Sequence, residues 1–120
     1  MDDDELIRET LSIMLESFGY KVVQKENGND AVDFFASEIK ANRSLAGMIF
    51  DLTVPGYMGG LEAVAEIRKL NDETPVLVAS GYGENPVMSN PQDYGFKGSI
   101  CKPFIKSELA NMLNVHMTKG

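Results

Sequence analysis

Apolar residues recur with two different periods along the chain, and the two periods alternate. Spacings of three and four residues, typical of one helical face, occur in four segments. These faces comprise Ile7, Leu11, Met14, Leu15 and Phe18; Ala31, Phe34, Phe35 and Ile39; the segment 61–70; and Ile105, Leu109, Met112 and Leu113. Short uninterrupted apolar runs lie between the helices and are typical of buried strands. The predicted strands are 21–25, 48–51, 76–79 and 98–101.

Glycine and proline mark where these elements end. Gly19 follows the first helical segment, and Pro55-Gly56 follows the strand that ends at Asp51. The segment 81–95 is rich in Gly, Pro and Asn, so only a short helix is expected there, at about 87–90. Strands that alternate with helices predict a parallel sheet covered on both faces, with right-handed crossovers.

Length and charge limit the classes of function. A chain of 120 residues forms one domain with a single core. The net charge of −7 argues against nucleic-acid binding, which needs clustered Lys and Arg. We find neither a membrane-spanning apolar run nor a signal-peptide pattern in the sequence, and therefore expect no direct membrane contact. The single cysteine, Cys101, cannot form an internal disulfide, fits a reducing cytoplasm and is expected to pack within its strand.

Asp51 stands where an apolar strand meets a turn. Loops at the carboxyl ends of parallel strands are where α/β sheets bind ligands. A carboxylate there is accessible to reagents while its backbone is held rigidly. Taken alone, the position is equally typical of an aspartate that only caps the following loop.

Three other motifs accompany Asp51 in a fixed order. The run Asp2-Asp3-Asp4 precedes the first helix, Ser80 follows the strand 76–79, and Cys101-Lys102-Pro103-Phe104 closes the last strand. This ordered set resembles the receiver domains of two-component response regulators, and the resemblance covers essentially the whole chain. It implies one receiver domain over 1–120 with a flavodoxin-like, doubly wound parallel sheet of strand order 2-1-3-4-5.

The chain departs from the family pattern at its beginning. In the family an apolar first strand precedes the acidic pair and occupies the middle of the sheet, but only Met1 precedes Asp2 here. We therefore expect a receiver truncated at the N-terminus, without this central strand. A vacant centre leaves backbone groups unpaired, so rearrangement or a strand-exchanged homodimer is expected.

The resemblance assigns a phosphoryl-transfer site. It implies that Asp51 accepts a phosphoryl group from a kinase phosphohistidine and that the cofactor is Mg²⁺, a cation that prefers oxygen ligands. Asp3 is the direct metal ligand, Asp2 a ligand through water, and the Thr53 carbonyl a further ligand beside Asp51. The alternative for the acidic run is compensation of the helix dipole, a role that suits Asp4 better.

The remaining family positions fall on residues that bind or report the phosphoryl group. Lys102 is implied to pair with Asp51 and later with a phosphoryl oxygen, and the Ser80 hydroxyl to bond the phosphoryl group. Thr53 and Tyr82 occupy the positions that tune dephosphorylation, for which we predict a slow rate. Ser99 replaces the aromatic residue that moves with the hydroxyl in the family, so the switch is expected to differ.

These motifs support three hypotheses of function, of which a phosphoaccepting receiver is the first. The segments 55–60 and 81–96 look like the receiver at the C-terminus of a hybrid sensor histidine kinase, and a stand-alone regulator is the competing context. The implied partners are a sensor histidine kinase or a phosphotransfer protein, and no independent enzyme activity is expected beyond the domain's own phosphorylation and dephosphorylation. A degenerate receiver that only binds proteins is the second reading. The third, a haloacid-dehalogenase-like phosphatase, requires an aspartate where Thr53 stands.

Overall fold

The fold consists of three parallel strands and five α-helices, taken from a computed structural model that describes residues 1–81, 83 and 85–117. The bounds in chain order are α1 Glu5–Ser17, α2 Gly28–Lys40, β1 Met48–Asp51, α3 Gly60–Leu70, β2 Val76–Ser80, α4 Pro86–Ser89, a 3₁₀ turn Pro91–Tyr94, β3 Gly98–Cys101 and α5 Lys106–His116. Among the described residues no helix is both long and apolar enough to cross a bilayer.

The sheet has the order β1-β2-β3, and β2 is buried along its whole length. Alternate residues of β2 point to opposite faces: Val76 and Val78 pack in the core under α2 and α3, whereas Leu77 and Ala79 pack under α1 and α5. The predicted parallel sheet covered on both faces is confirmed. The observed order matches the 3-4-5 part of the predicted 2-1-3-4-5 arrangement.

Local chemistry explains where the helices start and stop. The Asp4 side chain accepts hydrogen bonds from the Leu6 and Ile7 N–H groups and so caps α1. The Asn27 side chain caps α2 by accepting from the Asp30 N–H. Gly19 follows α1 with φ +91°, a backbone conformation that glycine adopts at low cost.

The predicted strand at 21–25 was wrong. This segment is extended in places but pairs with no strand. A strand is stable only when a neighbour satisfies its backbone, and the described residues place no strand between 21–25 and β1. The local sequence of 21–25 is therefore typical of a strand, but among the described residues no neighbouring strand pairs with it. The predicted gap in the centre of the sheet is confirmed.

Met1 and Asp2 occupy one end of that gap. The Met1 amine donates to the Ile49 carbonyl at 2.6 Å, and the Asp51 N–H donates to the Met1 carbonyl at 2.8 Å. On the other side, the Asp2 N–H donates to the Lys25 carbonyl at 3.1 Å. These two residues therefore form a short bridge between β1 and the segment 21–25.

Two burial predictions were also wrong. Ile39 was expected on the apolar face of α2, but 38% of its surface is exposed because it lies in the last turn of the helix, away from the sheet. Cys101 was expected to pack within its strand, but its side chain is exposed. Cys101 is the last residue of β3, at the edge of the described sheet, where the covering layer no longer reaches it.

Candidate functional site

The candidate site lies at the carboxyl edge of the sheet, where β1 delivers Asp51. Asp51 is the last residue of β1 and is 8% exposed. The register pairs it with Ala79, and Ser80 ends β2 one residue further along. Ser80 is paired in turn with Cys101, the residue before Lys102. Parallel pairing thus brings Asp51, Ser80 and Lys102 to the same edge of the sheet.

Lys102 joins the two ends of the chain at this edge. Its Nζ lies 2.6 Å from Asp2 Oδ2 and 3.0 Å from Asp51 Oδ1. Its backbone N–H donates to the Ser80 carbonyl at 2.9 Å, which fixes the base of the side chain on β2. One ammonium group is therefore shared by two mostly buried carboxylates.

Asp2 is held by more contacts than its position near the chain end suggests. The Arg8 guanidinium donates to the Asp2 carbonyl at 2.7 Å, and the Asp4 N–H donates to Asp2 Oδ1 at 3.0 Å. With Lys102 on Oδ2, both carboxylate oxygens of Asp2 are fixed. Sequence reasoning missed the Asp4 contact, although an aspartate bonding the N–H two residues on is a recognised turn signal.

Three carboxylates come together in a way that suits a hard cation. One oxygen each from Asp2, Asp3 and Asp51 lie within 4.8 Å of one another. The three carboxylates outnumber the two cationic side chains beside them, Lys102 and Arg8, which leaves excess negative charge at the edge of the sheet. Mg²⁺ prefers such oxygen ligands and keeps several waters, for which the exposed Asp3 side leaves access. The residues present therefore fit a magnesium ion.

Burial and charge shift the titration of this cluster. Burial raises the pKa of Asp51, and the charges of Asp2 and Asp3 raise it further, against the opposing hydrogen bond from Lys102. Burial alone acts to lower the pKa of Lys102, but its hydrogen bonds to Asp2 and Asp51 outweigh that effect and raise it. Lys102 thus stays charged at neutral pH beside a carboxylate that resists ionisation.

The other predicted site residues lie around this cluster or outside the described part. Ser80 is buried at the end of β2. Thr53 is exposed two residues beyond Asp51, and its role as a ligand stays a prediction. Tyr82 lies outside the described residues. Ser99 is not at the edge: its hydroxyl donates to the Met88 carbonyl at 2.7 Å and ties β3 to the end of α4.

Comparison with known proteins gives matches along nearly the whole chain. The family description "Response regulator receiver domain" matches residues 1–114. The chemotaxis protein CheY of Thermotoga maritima is 30% identical over 115 residues, which is 95% of this chain and 91% of that protein. The uncharacterized transcriptional regulatory protein YkoG of Bacillus subtilis is 32% identical over 109 residues, 91% of this chain. The match spans only 45% of YkoG, so this chain corresponds to about half of that relative.

Solved structures give the same fold. The response regulator TrrA from Thermotoga maritima, solved with Mg²⁺ and BeF, superposes with a TM-score of 0.81 at 28% identity and covers 97% of this chain and 94% of its own. The receiver domain of the sensor histidine kinase PA1611 from Pseudomonas aeruginosa, solved with a magnesium ion in its active-site cleft, has a TM-score of 0.79 at 24% identity. That match covers 97% of this chain and 92% of the other. The fold is accordingly flavodoxin-like, as predicted.

Proposed function

Because this chain belongs to the response regulator receiver family of two-component signalling, we propose that Asp51 accepts a phosphoryl group from a phosphohistidine of a sensor kinase or phosphotransfer protein. The observation that carries this proposal is the position of Lys102 Nζ, 3.0 Å from the Asp51 carboxylate and 2.6 Å from that of Asp2. A carboxylate, an ammonium and two further carboxylates at one sheet edge match what phosphoryl transfer requires, namely positioning and charge neutralisation.

The reaction forms one bond and breaks one bond. A carboxylate oxygen of Asp51 attacks the phosphorus, a P–O bond forms, and the P–N bond of the donor breaks with its electron pair going to the imidazole nitrogen. The product is an acyl phosphate on Asp51. Attack requires the ionised carboxylate, and burial raises the pKa of Asp51, so Lys102 beside it supports the reactive form.

The acidic residues have a binding role. The carboxylates of Asp2, Asp3 and Asp51, with the Thr53 carbonyl, would hold Mg²⁺, which supplies charge neutralisation for the incoming phosphoryl group. Arg8 and the Asp4 N–H orient Asp2 for this task through its carbonyl and carboxylate. Asp3 is exposed and makes the site accessible from solvent.

Lys102 and Ser80 are the residues that bind the transferred group. In the unphosphorylated state the Lys102 ammonium contacts Oδ1 of Asp51, one of the two carboxylate oxygens that can bond to phosphorus. After transfer the ammonium binds a phosphoryl oxygen, and the Ser80 hydroxyl donates to another. Thr53 and Tyr82 control the access of water to the acyl phosphate and keep dephosphorylation slow.

Ser99 gives this receiver a different switch from an aromatic one. Its hydroxyl already bonds the Met88 carbonyl, so a rearrangement at the phosphoryl group that reaches β3 is passed to α4 through this hydrogen bond. We place the domain in the cytoplasm, as the receiver of a hybrid kinase or of a stand-alone regulator. The sequence segments 55–60 and 81–96 favour the hybrid context.

Incubation with acetyl phosphate and Mg²⁺ tests the proposal. Intact mass spectrometry should show a gain of one phosphoryl group that is labile to hydroxylamine, and Asp51→Asn should abolish it. Asp33→Asn, which removes an exposed carboxylate on α2, is the matched control and should keep the gain. A stable protein that gains no mass under these conditions would instead be a degenerate receiver that only binds proteins. Turnover of a small phosphate ester would indicate the phosphatase reading.

A further inference from the structure

The loop between β1 and α3 leaves the acidic site at Asp51 and returns to it. The Gly60 N–H donates to the Leu52 carbonyl at 3.1 Å, so the two ends of this connection lie together. We call residues 53–59 the acidic-site loop. Its first residue is Thr53, whose carbonyl is proposed to bind Mg²⁺.

Two glycines at the end of the acidic-site loop pack directly on its beginning. A Cβ added to Gly59 would lie 2.8 Å from the Leu52 carbonyl oxygen and 3.1 Å from the Thr53 Cα. A Cβ added to Gly60 would lie 2.5 Å from the Asp51 carbonyl oxygen. Both glycines are buried, so neither position accepts a side chain without a shift of the backbone. A displacement of Gly59 is therefore passed directly to Thr53.

Glu62 holds Gly59 in this position. Its Oε2 accepts a hydrogen bond from the Gly59 N–H at 2.8 Å, across the first turn of α3. Gly59 is the N-cap residue of α3 but has no side chain with which to cap the helix, so Glu62 supplies the side-chain contact. The Gly59 carbonyl in turn accepts from the Ala63 N–H at 3.0 Å, and both backbone polar groups of Gly59 are thus bonded to α3.

The outer part of the acidic-site loop is fixed separately, by α2. The Gly28 N–H donates to the Met58 carbonyl at 2.7 Å, and a Cβ added to Gly28 would lie 2.8 Å from the same oxygen. Loss of the Glu62 side chain should therefore leave Met58 on α2 and the domain folded. It should release chiefly the Gly59 backbone that lies against Thr53.

From these contacts we propose that Glu62 is a positioning residue for the Mg²⁺ site: it holds Gly59 against Thr53 and so keeps the Thr53 carbonyl in place for the ion. This inference rests on the proposed function, in which that carbonyl and the three carboxylates hold Mg²⁺. Glu62 acts as a hydrogen-bond acceptor rather than through its charge, because the residue is exposed and solvent screens the charge.

Calorimetric titration of the 120-residue chain with MgCl₂ tests the proposal, and urea unfolding shows whether each variant is folded at the start. Glu62→Ala should raise the Kd for Mg²⁺ about tenfold, as is typical when a residue that orients a metal ligand is lost. Glu62→Gln keeps an acceptor at the same reach and should stay within about twofold of the parent. Glu62→Asp keeps the charge but is too short to reach Gly59, so it should behave as Glu62→Ala does.

The matched control is Glu66→Ala, which removes an exposed carboxylate from the next turn of α3 and should bind Mg²⁺ like the parent. A spectroscopic measurement follows the ligand itself. Mg²⁺ should shift the carbonyl-carbon resonance of Thr53 in the parent and in Glu62→Gln, and at the same Mg²⁺ concentration should shift it less in Glu62→Ala. With acetyl phosphate, Glu62→Ala should need about tenfold more Mg²⁺ for its half-maximal rate and should reach a maximal rate like that of the parent.

The outcomes separate this inference from the proposed function. A parent chain that binds Mg²⁺ and is phosphorylated, together with a folded Glu62→Ala variant of parent-like Kd, overturns the inference alone. Weaker binding in Glu62→Gln with parent-like binding in Glu62→Asp shows that the charge acts, and also overturns it. If Glu62→Ala does not fold, the comparison of these two variants decides. A parent chain that neither binds Mg²⁺ nor accepts a phosphoryl group overturns the proposed function, and the inference with it.

Discussion

The Lys102 ammonium lies closer to Asp2, at 2.6 Å, than to Asp51, at 3.0 Å. The lysine at the end of β3 is therefore bonded to the first acidic residue of the chain across the sheet edge. Only 17% of the Lys102 side chain and 7% of the Asp2 side chain are exposed, so solvent screens this pair weakly. The same ammonium thus anchors the beginning of the chain and neutralises the carboxylate proposed to react.

Replacing Lys102 with an uncharged residue should destabilise the domain and increase the affinity of the acidic site for cations. In Lys102→Met, Asp2 and Asp51 lose their counter-charge while staying mostly buried, so we expect a loss of about 2 kcal/mol in the free energy of unfolding without metal. Mg²⁺ should restore more stability to the variant than to the parent, and phosphorylation at saturating Mg²⁺ should slow. Urea unfolding with and without MgCl₂ measures both effects.

The control for this variant is Lys69→Met. Lys69 pairs with Glu66 on the exposed side of α3, and such pairs contribute about 0.5 kcal/mol or less. A parent-like stability in Lys102→Met would show that the contacts of Lys102 with the carboxylates are not maintained in solution.

Asp51→Asn should stabilise the metal-free domain at neutral pH. The folded-state pKa of Asp51 is raised above its ordinary value of 3.8, chiefly by burial, so the folded protein holds this proton to higher pH than the unfolded chain. The ionised carboxylate therefore costs stability, and this cost grows as pH rises from 3.8 through the folded-state pKa. The parent and the variant should differ most at pH 7 and converge toward pH 4 in thermal unfolding followed by circular dichroism. A constant difference across that range would contradict this origin.

Local sequence patterns predicted the elements that fold by local rules. The helices and the strands predicted at 48–51, 76–79 and 98–101 follow from period and turn chemistry, and the second of these strands ends one residue later, at Ser80. Asp4, expected to compensate the dipole of α1, caps that helix with its side chain. The segment 21–25 failed because a strand depends on its partner rather than on its own residues. Ile39 and Cys101 failed because burial at the end of an element depends on how far the neighbouring layer extends.

Part of the candidate site could be predicted from the sequence, because it depends on where the strands end. Parallel strands end at one edge, so the proximity of Asp51, Ser80 and Lys102 follows once the strand assignments are right. The position of Asp2 depends instead on the Met1 backbone bonds and on Arg8, which are tertiary contacts without a local signal. The roles of Thr53 and Tyr82 stay predictions.

Ser99→Ala should uncouple α4 from β3. The variant loses the 2.7 Å bond to the Met88 carbonyl, and we expect about 1 kcal/mol less stability. The chemical-shift changes of α4 amides on phosphorylation or on addition of beryllofluoride should shrink, while those near Asp51 persist. Ser89→Ala is the matched control, since the Ser89 hydroxyl makes only an exposed 3.4 Å contact within α4. Unchanged α4 responses in Ser99→Ala would remove Ser99 from the switch.

Acetylation of the Met1 amine should stabilise the 120-residue chain at acidic pH. Burial lowers the pKa of this amine from 8.0 to about 6, so the folded state holds its proton less readily than the unfolded chain does. Stability therefore falls as pH drops from 8 to 6, by about 2 to 3 kcal/mol in total, because protonation favours the unfolded state. An acetylated chain has no amine to titrate, while its amide N–H can still donate to the Ile49 carbonyl.

The difference between the two forms isolates the amine, because every other titrating group is common to both. Urea unfolding at pH 6 should show the acetylated chain more stable by about 2 to 3 kcal/mol, and the two forms should approach each other at pH 8.5, where both are uncharged at Met1. A gap of the same size at both pH values would mean that the acetyl group stabilises by its own packing beside β1. No gap at either would mean that the Met1 amine is in water rather than bonded to Ile49, and the bridge between β1 and 21–25 would be lost with it.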